Sequence, residues 1–182
     1  MTSANLPGLD VSGRVRARDI QMAGVADLRR HVLMISGAID TPDHDISLCV
    51  NLPEPGRWQV IKSETNLTDQ TWVAIQATTD EESTFIDDAD TLVLSRQFAK
   101  SFMTPDQRRL TFYDGEVRPG EALLKVYSME TSSQRPTYTY SKYSPVTAEA
   151  LAGKQERLER ILTEGMPQRP VVELIVPVTV IG

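Results

Sequence analysis

Polar and apolar residues alternate along most of this chain, and the alternation predicts strands. From Asp45 to Leu52, Ile46, Leu48 and Val50 fall on one face while Ser47, Cys49 and Asn51 fall on the other. That two-residue period, with β-branched residues, marks a half-buried strand. Trp58 to Glu64 repeats it, with Trp58, Val60 and Lys62 set against Gln59, Ile61 and Ser63. Thr71 to Thr78 sets Trp72, Ala74 and Gln76 against Val73, Ile75 and Ala77. Glu121 to Met129 places Ala122, Leu124, Val126 and Ser128 opposite Leu123, Lys125 and Tyr127. His31 to Ile39 is a shorter apolar run that ends in the turn-forming Asp40-Thr41-Pro42-Asp43.

The last run, Val171 to Ile181, carries Val172, Leu174, Val176, Val178 and Val180 on one side. Pro177 removes a backbone donor in its middle, so this strand is expected at a sheet edge or with a break. Strand runs divided by turn residues predict a mainly β fold with minor α content. The expected architecture is an antiparallel β-sandwich or barrel, with a jelly roll as one form. Thr65–Gln70 reads as a link between antiparallel neighbours, and Asp114-Gly115 between extended residues reads as a hairpin turn.

Other segments follow a longer period. Leu151, Leu158, Ile161 and Leu162 line one side of residues 147–164, which predicts one amphipathic helix before the C-terminal strand, capped at Gly165. Leu94, Phe98 and Phe102 recur every four residues and suggest a short helix from near Asp90, although Leu92-Val93-Leu94 also permits a strand. Residues 14–30 fit either pattern: Val15, Ala17 and Asp19 alternate as in a strand, whereas Ile20, Val25 and Leu28 fit a short helix. Residues 1–13 lack periodicity and contain Pro7, Gly8 and Gly13, so they read as an N-terminal arm before a single β-rich domain at 14–182.

Composition narrows the function classes. The 182 residues fit one domain, and 40% hydrophobic with 24% charged residues is ordinary for a globular core. A net charge of −6 argues against direct coating of nucleic acid, which needs a basic face. Cys49 is the one cysteine, so no internal disulfide is possible. With no signal peptide and no membrane-spanning apolar run legible, a cytoplasmic or virion location away from membranes is expected.

Charge is unevenly placed. Arg14, Arg16 and Arg18 cluster near the start, followed by Arg29 and Arg30; Asp87 and Asp88 belong to an acidic stretch from Asp80 to Asp90. Opposed patches of this kind favour ordered association.

Little of the sequence points to catalysis. Asp40, Asp43, His44 and Asp45 are reasonable ligands for a divalent ion, but they fall in a turn where Asp commonly caps backbone groups. The G-x-S-x-G, P-loop and G-x-G-x-x-G patterns do not occur, so no metal or cofactor is assigned. Tyr138, Tyr140 and Tyr143, with Arg135 and Lys142 beside them, form the one aromatic patch, suited either to stacking on a ligand or to closing a core edge.

The leading expectation is therefore a non-enzymatic structural or interaction subunit of a homo- or hetero-oligomeric protein assembly, such as a virion or phage particle. Arg14, Arg16, Arg18, Asp87, Asp88, Val176 and Val178 are its candidate contact residues. The alternatives are a metal-dependent hydrolase using Asp43, His44 and Asp45, and a small binding module using Tyr138–Tyr143.

Overall fold

The computed structural model describes residues 20–182. The proposed arm and Arg14, Arg16 and Arg18 lie outside them. Two sheets pack face to face as an open sandwich, as the alternation predicts.

One sheet has seven strands. Its main path runs through β13 (Val178–Ile181), β1 (Ile20–Asp27), β2 (Val32–Ile39), β4 (Gly56–Asn66), β10 (Ala122–Thr131) and β6 (Ser83–Ile86). The two-residue β7 (Leu94–Ser95) pairs alongside β10. The second sheet orders six strands: β12 (Val171–Val176), β3 (Asp45–Val50), β11 (Thr137–Tyr143), β5 (Trp72–Thr79), β9 (Arg109–Val117) and β8 (Phe98–Met103). The inward faces carry Leu33, Ile35, Trp58, Val60, Leu123 and Met129 from one sheet. Ile46, Leu48, Leu110, Phe112 and Leu174 meet them from the other. Trp58 and Trp72 are both fully enclosed, as two tryptophans on alternating strands should be.

Several local expectations are corrected. The sheets are mixed rather than antiparallel: β2 runs parallel to β4, β1 to β13 and β3 to β12. The sandwich does not close into a barrel, since each sheet ends on unpaired edge strands among the described residues. The Thr65–Gln70 stretch does not link antiparallel neighbours, because β4 and β5 lie in opposite sheets. Asp114-Gly115 is no turn. It sits inside β9, where Asp114 at φ 64° and the register slip opposite Val73 make a bulge. The four-residue spacing of Leu94, Phe98 and Phe102 produces β7 and β8 rather than a helix.

The helical segment is two helices, α1 (Ala148–Ala152) and α2 (Lys154–Glu164), separated at Gly153. Thr147 caps the first by accepting from the Ala150 amide. α2 buries Leu158 and Ile161 against the outer face of the six-stranded sheet. Gln76 secures it there by donating to the Ile161 carbonyl at 3.0 Å and accepting from the Met166 amide at 3.1 Å. Gly165 follows as the expected C-cap residue, at φ 91°.

Pro177 does both things expected of it. The C-terminal run breaks there, and each half becomes the edge of a different sheet: β12 of one, β13 of the other.

Candidate functional site

The inward face of β4 that begins with Trp58 and Val60 continues through Lys62 and Glu64. Both charged residues point into the sandwich and are fully enclosed. On β10, Lys125 lies directly opposite Lys62 and is equally enclosed. Two like charges opposed across a ladder destabilise a sheet unless something neutralises them. Glu64 does so: its Oε1 is 2.8 Å from Lys125 Nζ and its Oε2 is 3.1 Å from Lys62 Nζ. These are ion pairs rather than well-aligned hydrogen bonds.

The opposite sheet supplies aromatic walls. Lys62 Nζ lies 3.0 Å from the centre of the Tyr140 ring and Lys125 Nζ lies 4.1 Å from it, so both ammonium groups face its π-cloud. The hydroxyls of Tyr140 and Tyr127 are hydrogen-bonded to each other. Lys142, two residues further along β11, donates to the Thr41 carbonyl at 2.7 Å and lies 5.7 Å from the Trp72 ring centre.

Burial governs the proton affinities. It would push the Glu64 carboxyl upward, but Lys125 and then Lys62 hold it down at about 2, so the carboxylate stays ionised. Burial lowers Lys62 well below the ordinary lysine value and lowers Lys125 too, with Glu64 opposing the shift in both. Lys142 is brought down to about 8, again chiefly by burial. Tyr138 is raised to about 12 because its anion has no water around it.

These shifts fix the direction of a pH effect. Between about 8 and the unperturbed lysine value near 10.5, the unfolded chain holds a proton on Lys142 that the folded chain has released. The unfolded state then binds more protons, so stability rises with pH across that window. Lys62 and Lys125 act in the same direction. Above about 10 the sign reverses, because unfolded tyrosine ionises while Tyr138 keeps its proton. Urea midpoints should therefore increase from pH 7.5 to near 10 and then fall. Lys142→Met should flatten the rising limb, and a midpoint that falls steadily from neutral pH would contradict this assignment.

Sequence reasoning missed this cluster. The phase of β4 and β10 was legible, but lysine and glutamate ordinarily go to water. The signal was that Lys62 and Lys125 share their faces with Trp58 and Tyr127, residues of the core.

The tyrosine patch divides. Tyr138 and Tyr140 are enclosed and pack edge to face, with ring centres 5.2 Å apart, so they line the core and present no stacking surface. Tyr143 is half-buried and Arg135 is exposed. Asp40, Asp43, His44 and Asp45 do not assemble an ion site: among the described residues no three His, Cys, Asp or Glu side chains converge closely enough to hold a metal. Asp88 accepts from the Asp90 amide at 3.0 Å and pairs with Arg57 at 3.0 Å, while Asp87 is exposed. Val176 is enclosed in the core, whereas Val178 is half-buried at the corner between the sheets.

The exposed counterpart of the buried cluster is the C-terminal edge. The carbonyls of Pro177 and Ile181 accept from the amides of Gly24 and Leu28, so alternate residues of β13 face β1. By the same alternation, Val178 and Val180 turn their backbone N–H and C=O outward. Val180 and Ile181 leave 50% and 47% of their surface exposed, and neither charge nor bulge interrupts β13. The neighbouring edge, β12, exposes Val171 and Ile175 but places Glu173 between them.

A family model matches residues 22–182, from β1 to the last residue, and so takes in both sheets and both helices. The chain belongs to the Family of unknown function (DUF6423). No curated protein and no solved structure matches it. The matched span includes the core cluster and both C-terminal edges.

Proposed function

We propose that this DUF6423 chain is a non-enzymatic structural subunit that joins a second copy of itself by strand addition along β13. The observation that carries the reading is the uncharged, unbulged edge at Val178–Ile181, with its outward backbone groups unpaired among the described residues. Such an edge is a template for another strand, and proteins that keep it monomeric ordinarily place a charge or proline there. β12 carries Glu173 and fits that protection; β13 carries none. Two antiparallel β13 strands related by a two-fold axis would extend the seven-stranded sheet from one copy into the next, the closed symmetry commonest in oligomers. A virion or phage particle is the kind of assembly in which such a subunit belongs.

The test is the native mass by light scattering across a range of concentrations. The intact protein should be a dimer or larger, with the population rising with concentration. Val180→Pro removes an outward-facing N–H while leaving the ladder to β1 in place, and Val180→Lys places a charge on the edge. Both should shift the mass to the monomer with the urea unfolding curve of the separated subunit retained. A monomer for the unaltered chain at every concentration would sink the proposal, as would variants whose mass equals that of the parent.

A further inference from the structure

Residues 28–31 turn β1 into β2 and end on a histidine in an unusual backbone conformation. His31 has φ 53°, a left-handed geometry that a residue with a side chain keeps where its surroundings hold it. Three contacts hold this one. The imidazole stacks on the enclosed indole of Trp58, with ring centres 4.2 Å apart and planes 9° from parallel. His31 Nδ1 lies 2.9 Å from the Arg57 carbonyl oxygen, and Nε2 is in hydrogen-bond contact with the Glu54 carboxylate. Trp58 Nε1 in turn donates to the Glu54 carbonyl at 3.1 Å, so one stretch of chain positions both rings.

The partners decide the protonation state. A carbonyl oxygen and a carboxylate oxygen accept and do not donate, so both ring nitrogens must carry hydrogen, and the imidazolium is the form that does. A neutral ring would leave one nitrogen lone pair facing an oxygen. The charged groups around the ring are Glu54, Arg57, whose guanidinium is taken up by Asp88 at 3.0 Å, and Asp27, Arg29 and Arg30 of its own turn. The Glu54 hydrogen bond raises the imidazole above its ordinary value, against the opposing effect of burial.

At its other end the turn meets β13. The Leu28 amide donates to the Ile181 carbonyl at 2.8 Å. A Cβ on Gly182 would fall 2.8 Å from the Asp27 carboxylate and 3.0 Å from the Arg29 nitrogen, so the chain beyond β13 packs onto the turn. Asp27 itself accepts from the Arg29 and Arg30 amides, which ties the two ends of the turn together.

We infer that His31 is a pH-sensitive latch. As an imidazolium it clamps the β1–β2 turn to the segment that carries Glu54 and Arg57 and keeps the end of β13 seated; as a neutral ring it releases both. The direction follows from the raised proton affinity. The clamp is complete below the ordinary histidine value of about 6.5 and is lost as pH rises through the raised one. Lys142 acts on global unfolding with the opposite sign, so exchange at a single amide is the measure here rather than a urea curve. Leu28 and Ile181 belong to one chain, and the latch therefore does not depend on strand addition to a second copy.

The experiment is an NMR titration of the full chain in dilute solution from about pH 5 to 9, across the range in which histidine titrates. The chain has two histidines, so His31→Gln assigns the imidazole signals. His31 should titrate above about 6.5, with the Trp58 indole N–H signal moving at the same midpoint. Protection of the Leu28 amide against hydrogen exchange should fall between those two pH values, by about tenfold for each unit that His31 lies above its ordinary value. Glu54→Gln keeps an acceptor but removes the charge, and should bring the His31 midpoint down towards about 6.5 and shrink the loss of protection with it. Because Glu54 is exposed, this variant also identifies the His31 signal if His31→Gln folds poorly. A His31 midpoint at or below the ordinary value overturns the inference, and so does Leu28 protection that shows no fall through a raised midpoint.

Discussion

Glu64→Gln should destabilise the fold by about 3–5 kcal/mol, a large part of the total stability of an ordinary domain. The side chain keeps its shape, so the loss comes from charge alone. With Glu64 neutral, Lys62 and Lys125 face one another across β4 and β10 with no counter-ion and almost no water. Removing one lysine is a different case. Lys62→Met leaves Glu64 paired with Lys125 at 2.8 Å, lifts the like-charge repulsion and puts a flexible apolar chain against Tyr140. Its stability should lie within about 1 kcal/mol of the parent or above it, because buried charges replaced by well-packed apolar groups are often neutral or stabilising. Urea unfolding of both variants decides the matter. Equal losses from the two would mean that the residues contribute by packing and not through the charge arrangement described above.

Gly115→Ala should rank with Glu64→Gln in effect, for a steric reason. A methyl group on Gly115 would fall 2.0 Å from the Gln97 carbonyl oxygen and 3.1 Å from the Phe98 Cα. Both are backbone atoms, and the chain is fixed there because it passes from β7 in one sheet to β8 in the other. Phe98 pairs with Gly115, so the displaced backbone would carry the β8–β9 ladder with it. The expected loss is about 3 kcal/mol or more, at the upper end of what overpacking costs. Gly153→Ala is the contrasting case. Its nearest neighbour would be 3.8 Å away, φ is −93°, and the residue joins α1 to α2. That change should be neutral or stabilise by up to about 1 kcal/mol by restricting the unfolded chain. Thermal unfolding of the two variants provides the comparison, and a mild Gly115→Ala would contradict the close approach at Gln97.

The strands were legible because their period survives the mixture of residues they contain. Ile46, Leu48 and Val50, or Leu123 and Tyr127, alternate regardless of which strand lies next to them. Partnership was not legible. Asp114-Gly115 has the residues of a hairpin turn, but the same capacity for positive φ serves a bulge, and only the neighbouring strand decides between them. In the same way, the four-residue spacing at Leu94, Phe98 and Phe102 fits a helix until β7 joins β10 and β8 joins β9. The parallel pairings depend on connections between distant segments, which no local pattern encodes.

The candidate sites show a similar division. Pro177 announced an edge or a break from chemistry local to itself, and the chain has both. The tyrosines were visible as a group, but Tyr138 and Tyr140 share an inward face that alternation alone could not distinguish from an outward one. Lys62, Glu64 and Lys125 were hidden most completely, since each side chain taken singly belongs in water. Only their meeting at one place between the sheets gives them partners. Asp45 is the opposite case: its residue type suits a metal ligand in a turn, whereas in the fold it is a nearly enclosed side chain at the start of β3.

Amide hydrogen exchange at Val178 and Val180, followed as protein concentration is raised, tests the proposed subunit role most directly. Their N–H groups face outward from the β13 edge and should exchange rapidly in a dilute solution of separated chains. Strand addition predicts that protection at these two amides grows with concentration, in step with the native mass, while core amides such as Val60 stay protected throughout. Rapid exchange at Val178 and Val180 that is independent of concentration, in a protein whose mass remains that of one chain, would contradict it.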